Sequence, residues 1–163
     1  MSSNQQLARI DYEQYFHASK LSNILNTFTK NIAKTDLIIV SDYGKGTVSN
    51  PRKLIQSARK LKKKILIDPK GKDFTKYKGA NLITPNKSEF ENIMGKVGSK
   101  KDLENKAKKM LDHLDLESLI VTLGSEGMYV LTKSNKKIIG DFINAYPQEV
   151  FDVSGAGDTT ISA

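Results

Sequence analysis

The sequence contains no cysteine, which excludes disulfide scaffolds, thiolate nucleophiles and cysteine-based zinc sites together. Histidine is nearly as scarce, with His17 and His113 the only two in 163 residues. They stand far apart, within or beside amphipathic helical patterns, and so read as surface or helix-edge residues rather than as a catalytic or metal pair. Arginine is limited to Arg9, Arg52 and Arg59, so the net charge of +8 rests almost wholly on lysine. Arginine is the residue suited to bidentate recognition of bases and phosphates, and the lysine excess therefore fits a phosphate-handling enzyme or a lysine-biased proteome better than a dedicated nucleic-acid reader. No apolar run approaches the ~20 residues that span a bilayer, and the opening Met1-Ser-Ser-Asn-Gln-Gln has neither a basic n-region nor an apolar h-region. The expectation is a soluble, cytoplasmic protein with neither nucleic acid nor membrane as partner. Internal repeats and low-complexity linkers are also lacking.

What is there is 38% hydrophobic and 27% charged, with the charges scattered among apolar segments of regular period, which argues for a packed core. A chain of 163 residues suits one globular domain, or part of one, and is short for two. From about residue 16 onward strand-like and helix-like patterns alternate, the mark of a mainly parallel sheet with helices packed on it. Leu21, Ile24, Leu25, Phe28 and Ile32 form one helical stripe. Asp36 to Ser41 then reads as a continuous apolar strand, the kind expected where both faces are covered. Asn50 and Pro51 supply an N-cap and a proline at the first helical position, with Leu54, Ile55, Ala58 and Leu61 as the buried face of a helix to about Lys63.

Ile65 to Asp68 and Ala80 to Thr84 are further strands, each ending in a polar residue followed by proline, and ligands bind at such strand ends in open parallel sheets. Asn86 to Met94 reads as a short helix stopped by Gly95. Ser99 to Asp102 resembles a capping box, opening a helix whose buried side is Leu103, Ala107, Met110, Leu111 and Leu114. Ser118 to Leu123 is a buried strand. Gly127 to Thr132 and Lys136 to Phe142, separated by Lys133-Ser-Asn-Lys, form a hairpin that gives the sheet an antiparallel edge. The basic run Arg59 to Lys64 closes a helix, where cations offset the negative end of the dipole, and no aromatic residue accompanies it to stack on bases.

The strongest chemical signal is Asp152-Val-Ser-Gly-Ala-Gly-Asp158-Thr-Thr. Small residues at 154 to 157 let backbone N–H groups approach an anion closely. An acidic side chain directly after such a nest would repel a phosphate unless it works as a base, taking a proton from an attacking hydroxyl, which makes Asp158 the candidate. The spacing lacks the last glycine of G-x-G-x-x-G and lies at the end of the chain rather than after a first strand, which disfavours a dinucleotide site. Gly44-Lys-Gly-Thr does not have P-loop spacing.

Residues 152 to 159 resemble the C-terminal signature of the ribokinase-like carbohydrate kinases, with Val153 and Ser154 departing from the commonest threonine-containing form. Val40-Ser-Asp-Tyr-Gly-Lys-Gly46, Ile67-Asp-Pro-Lys-Gly-Lys-Asp-Phe74 and Thr84-Pro-Asn-Lys-Ser-Glu-Phe-Glu91 are similar to segments of the heptose 7-phosphate kinase branch of that family, and the resemblance runs from about Gln5 to the last residue. It implies an α/β, Rossmann-like, mainly parallel sheet flanked by helices. It also implies a partial domain, residues 1–163 being the C-terminal portion of one kinase domain with little or no activity alone.

The same resemblance implies transfer of the γ-phosphoryl group of MgATP to a hydroxyl of a phosphorylated sugar, heptose 7-phosphate at its 1-position, in lipopolysaccharide core synthesis. ATP and Mg²⁺ are the implied cofactors, with a monovalent cation and a homo-oligomer left open. Asp158 matches the family's base, and Gly155, Ala156 and Gly157 its anion hole. Asn86, Lys87, Ser88 and Glu89 match the magnesium and phosphate end of ATP, with Glu89 towards the metal, while a capping pair at Asn86 and Glu89 explains the same spacing without any ligand. Thr122, Gly124 and Gly127 match the strand end and turn bordering the nucleotide, although a tight turn before a hairpin accounts for them equally. Asp152 and Lys70 are assigned to the nucleotide side, and Asp42, Lys45 and Arg9 to the substrate. Asp68 stands at a strand end beside them. A kinase acting on a nucleoside or hexose phosphate, and a non-catalytic binding or oligomerising module of the same fold, remain as alternatives.

Overall fold

The computed structural model describes residues 18–135, 137–146 and 156–162. Among the described residues, five α-helices, α1 (Ala18–Asn31), α2 (Pro51–Lys60), α3 (Lys87–Met94), α4 (Lys100–His113) and α5 (Ala156–Ser162), accompany one sheet of six strands. The strands are β1 (Leu37–Ser41), β2 (Lys64–Asp68), β3 (Leu82–Ile83), β4 (Ser118–Thr122), β5 (Met128–Ser134) and β6 (Lys137–Ile143), and they lie side by side in chain order. β1 to β4 run parallel, and β5 and β6 add the antiparallel edge. The expected α/β architecture is therefore what the chain adopts.

Each helix follows from local chemistry. Asn50 caps α2 by accepting a hydrogen bond from Lys53 N at 3.1 Å, with Pro51 in the first turn, where no N–H is needed. Ile55 and Ala58 are buried on its inner side. α2 ends at Lys60 rather than Lys63 because Lys62 takes a φ of 55°, turning the chain into β2. Ser99 caps α4 as expected, but the reciprocal half of the box is absent. The Asp102 carboxylate accepts from Gly98 N at 3.1 Å and from Lys106 Nζ at 2.9 Å instead. His113 is exposed at the end of α4, and His17 lies outside the described residues.

Three strand expectations are corrected. β1 is not covered on both faces: Ile38 and Val40 are buried, whereas Leu37 and Ile39 are each 46% exposed, because successive side chains point to opposite faces and only one of them is packed. β3 is two residues long rather than five, although Asn81 N and Thr84 N on either side of it still bond Ile65 O and Ile67 O of β2. The first hairpin strand runs further into the connection than expected, to Ser134, the second is described from Lys137 to Ile143, and Asn135 lies in the reversal at a φ of 47°. The core joins Ile65, Ile67, Ile83, Leu119 and Val121 of the sheet to Phe90, Met110 and Leu111 of the helices. One consequence matters for chemistry. The C-terminal ends of four parallel strands, at Ser41, Asp68, Ile83 and Thr122, open on the same edge of the sheet.

Candidate active site

The loop after β1 begins with Asp42, a carboxylate only 5% exposed. Asp42 Oδ1 accepts Gly44 N at 2.8 Å, and Oδ2 accepts the Tyr77 hydroxyl at 2.6 Å and Lys76 Nζ at 2.9 Å. Burial pushes the Asp42 pKa up, but these bonds and the Lys76 charge outweigh it and hold the group below the ordinary carboxylate value. Tyr77 is fully buried, accepts Lys70 N at 2.9 Å, and has its own pKa driven far up by burial and then by Asp42. One ion thus pins the loop after β1 to the loop after β2.

Asp68, at the end of β2, has a different environment. It is half-buried, and burial followed by the negative charges of Glu89 and Asp158 raises its pKa to about 6, against a smaller opposing pull from Lys70. Its neighbour Lys70 reaches across to α3 and bonds Glu89 Oε1 at 2.8 Å, a pairing that raises the lysine's own pKa. The other Glu89 oxygen accepts Asn86 N at 3.1 Å while Asn86 Oδ1 accepts Glu89 N at 2.9 Å, a complete capping box. Asn86 also bridges to Thr122 in the parallel sense, which carries the sheet alignment past Pro85 and brings the ends of β3 and β4 together.

Asp158 lies in the first turn of α5, beside the ends of β1 and β2. The Tyr43 hydroxyl donates to its carboxylate, 3.2 Å from Oδ2 and 3.5 Å from Oδ1, and the Ser41 hydroxyl lies 3.4 Å from Oδ1. A β-carbon added at Gly157 would stand 3.7 Å from Asp68 Oδ2, so glycine lets the start of α5 come close to that carboxylate.

These elements enclose a cleft of about 530 Å³ lined by Asp42, Tyr43, Asp68, Lys70, Thr84, Asn86, Lys87, Ser88, Glu89, Thr122, Gly124 and Gly157 among others. The structure therefore brings together most of the residues singled out from sequence. Gly127 and Lys45 do not line it, and Asp158 stands just outside its lining, joined to it through Tyr43. At Gly127 (φ 94°) an added β-carbon would meet Ile143 O at 2.0 Å, so the hairpin's packing demands glycine there. Asp42 borders the cleft, but its carboxylate is committed to the loops. Lys87 pairs with Glu126 at 3.1 Å. The backbone of Ala156 opens α5, while Arg9, Asp152 and Gly155 lie outside the described residues.

Sequence reasoning missed Tyr43, Ser41 and Tyr77. The pattern Asp42-Tyr-Gly44, in which an aspartate side chain accepts the N–H two residues on, was the available signal for a fixed loop that presents Tyr43. It also missed Thr84, whose hydroxyl is buried at the cleft without a hydrogen-bond partner among the described residues.

Comparison with known proteins gives this geometry a family. The pfkB family carbohydrate kinase pattern matches residues 12–163. The chain is 45% identical over 163 residues to the bifunctional protein HldE of Shewanella piezotolerans, covering 100% of this chain and 34% of that protein. It is 41% identical over 162 residues to HldE of Histophilus somni, covering 99% and 34%. It thus spans about a third of the length of these curated relatives. Among solved structures it superposes on phosphofructokinase-2 from Escherichia coli in complex with substrates and products with a TM-score of 0.68 and 16% identity, over 86% of this chain and 48% of that one. It superposes on Arabidopsis thaliana ribokinase complexed with ribose and ATP with a TM-score of 0.63 and 19% identity, over 82% and 43%. Those structures share the fold, and the matched pattern together with the close relatives identifies the lineage: the chain belongs to the pfkB family of carbohydrate kinases.

Proposed function

We propose that the protein carrying this chain transfers the γ-phosphoryl group of ATP to a hydroxyl of a phosphorylated sugar, with Asp158 as the base. The observation that carries this reading is that Asp158 stands at the edge of the cleft that holds Lys70, Glu89 and Gly157, bonded to Tyr43 of its lining and near enough to raise the pKa of Asp68. Asp158 takes the proton of the acceptor hydroxyl as its oxygen bonds to phosphorus, and the bond to the bridging oxygen of ADP breaks. The N–H groups at residues 155 to 157 are assigned to the charge that develops on the transferring group. Lys70 is placed to hold polyphosphate as a compact cation once the nucleotide competes for its bond to Glu89.

Magnesium fits the donors present. The described residues contain no cluster of three acidic or histidine ligands, but Asp68 and Glu89 both line the cleft, and Mg²⁺ is ordinarily held by one or two carboxylates together with phosphate oxygens and retained waters. When bound it would neutralise phosphate charge beside Glu89 and Asp68. The motifs Val40–Gly46, Ile67–Phe74 and Thr84–Glu91 favour heptose 7-phosphate, phosphorylated at its 1-position, as the acceptor.

The test is Asp158→Asn in the protein as its gene encodes it. Turnover should fall by about 10³-fold or more while ATP affinity stays within about threefold, because the change removes a proton acceptor and leaves the phosphate contacts. Turnover that survives the substitution removes Asp158 as the base.

A further inference from the structure

Tyr43 belongs to a segment whose neighbours on both sides are fixed while its own side chain is 60% exposed. Before it, Asp42 is buried and held by Tyr77, Lys76 and Gly44 N. After it, Gly44 stands at a φ of 71° against the Lys70 side chain, where an added β-carbon would lie 3.4 Å from Lys70 Cγ. A tyrosine between two such anchors has a set direction of departure from the backbone. Its phenolic hydroxyl reaches both oxygens of Asp158, while the Ser41 hydroxyl approaches Oδ1 from the end of β1. Exposed tyrosines have no need of such a partner, because water satisfies the hydroxyl equally well.

We propose that Tyr43 is a positioning residue for the catalytic carboxylate: pinned by Asp42 and Gly44, its phenol and the Ser41 hydroxyl orient Asp158 towards the acceptor. This rests on the reading of Asp158 as the base. A carboxylate in the exposed first turn of a short helix can take more than one rotamer, and a base contributes fully only when the accepting oxygen is held within hydrogen-bond reach of the proton it takes. Two neutral hydroxyl donors orient the carboxylate without adding a cation that would compete for it. Their separations of 3.2 to 3.5 Å are long, so one donor can release the carboxylate lone pair it occupies to the incoming hydroxyl while the other keeps the group in place. The charged groups around the arrangement are Asp68 at the end of β2 and Lys70 and Glu89 further along the same cleft, and Asp42 beneath the loop.

The test uses Tyr43→Phe in the protein as its gene encodes it, which keeps the ring and removes the donor. We expect kcat to fall about 10- to 100-fold, the cost of a misplaced catalytic group, with KM for ATP and for the sugar acceptor both within about twofold. A second readout needs no turnover. The carbon-13 carboxyl resonance of Asp158, assigned by its disappearance in Asp158→Asn, should shift in Tyr43→Phe, since it loses a hydrogen-bond donor. An unchanged resonance, or a kcat within twofold of the parent, overturns the proposal. So does a rise in acceptor KM at constant kcat, which would make Tyr43 a contact of the sugar. Full turnover in Asp158→Asn instead overturns the base reading itself, and the two failures are told apart by which variant shows them.

Discussion

Asp42 and Asp68 end or follow adjacent parallel strands, one β-strand spacing apart, and each precedes a loop that borders the cleft, yet they are opposites. Asp42 is almost wholly buried and remains easily ionised, because three donors from two loops meet its oxygens. Asp68 is more accessible and yet harder to ionise, because the cost of its burial is offset by little besides Lys70, and Glu89 and Asp158 add like charge. Depth alone does not decide the state of a carboxylate; the partners do. The buried one is spent on holding the scaffold. The strained one is left with unused capacity for a cation, and this is the pattern expected of a group that works on a ligand.

The comparison breaks most visibly if Asp42 proves dispensable. Asp42→Ala removes the shared acceptor of Gly44 N, the Tyr77 hydroxyl and Lys76, and should destabilise the protein by about 3 kcal/mol, the loss of a buried ion whose partners stay behind. Urea denaturation measures it, and a change below about 1 kcal/mol would mean that the loops are held by something other than this ion. Asp42 also carries a pH signature. Its lowered pKa makes its contribution present above the ordinary carboxylate value and lost as pH falls through the folded value.

Asp68 should show the opposite sign and a smaller size. With its pKa raised from 3.8 to about 6, the folded state binds more protons than the unfolded between those values, so stability falls as pH rises across that window. The shift corresponds to about 3 kcal/mol unscreened, and solvent access to the cleft reduces it to about 1 kcal/mol. Asp68→Asn should therefore raise the melting temperature at pH 7 and leave it unchanged at pH 4, while weakening any gain in stability from added Mg²⁺. Equal effects at both pH values would show that the cost of ionising Asp68 is not what distinguishes it from Asp42.

That distinction was out of reach of the sequence. Alternation of apolar runs with amphipathic stripes is a local property, and it located the parallel sheet, the edge hairpin and the caps at Asn50 and Ser99. The motifs placed Lys70, Asn86, Glu89, Thr122 and Asp158 near one another because strand ends in such a sheet must share an edge. What no local pattern contains is the partner 35 residues away: Tyr77 bonded to Asp42 is what turns an apparent ligand residue into a structural one. Tyr43 was hidden for the same reason, since its meaning lies in a contact 115 residues along the chain. The bare face of β1 likewise depends on what packs against it, which an apolar run along the chain does not report.

The third strand end offers the finest test, because Asn86 can be read both as a helix cap and as a ligand group. Its Oδ1 accepts Glu89 N at 2.9 Å, and aspartate at this position makes the same cap. Asn86→Asp should then leave stability within about 0.5 kcal/mol, the cap being preserved. If Asn86 is only a cap, nucleotide affinity is preserved as well. If its amide also faces phosphate oxygens, the new charge, set in the cleft beside Glu89 and Asp68, repels them, and KM for ATP should rise about tenfold with the fold intact. We expect the second result. It would place Asn86 between the two aspartates in kind, holding the scaffold as Asp42 does and serving the ligand as Asp68 does.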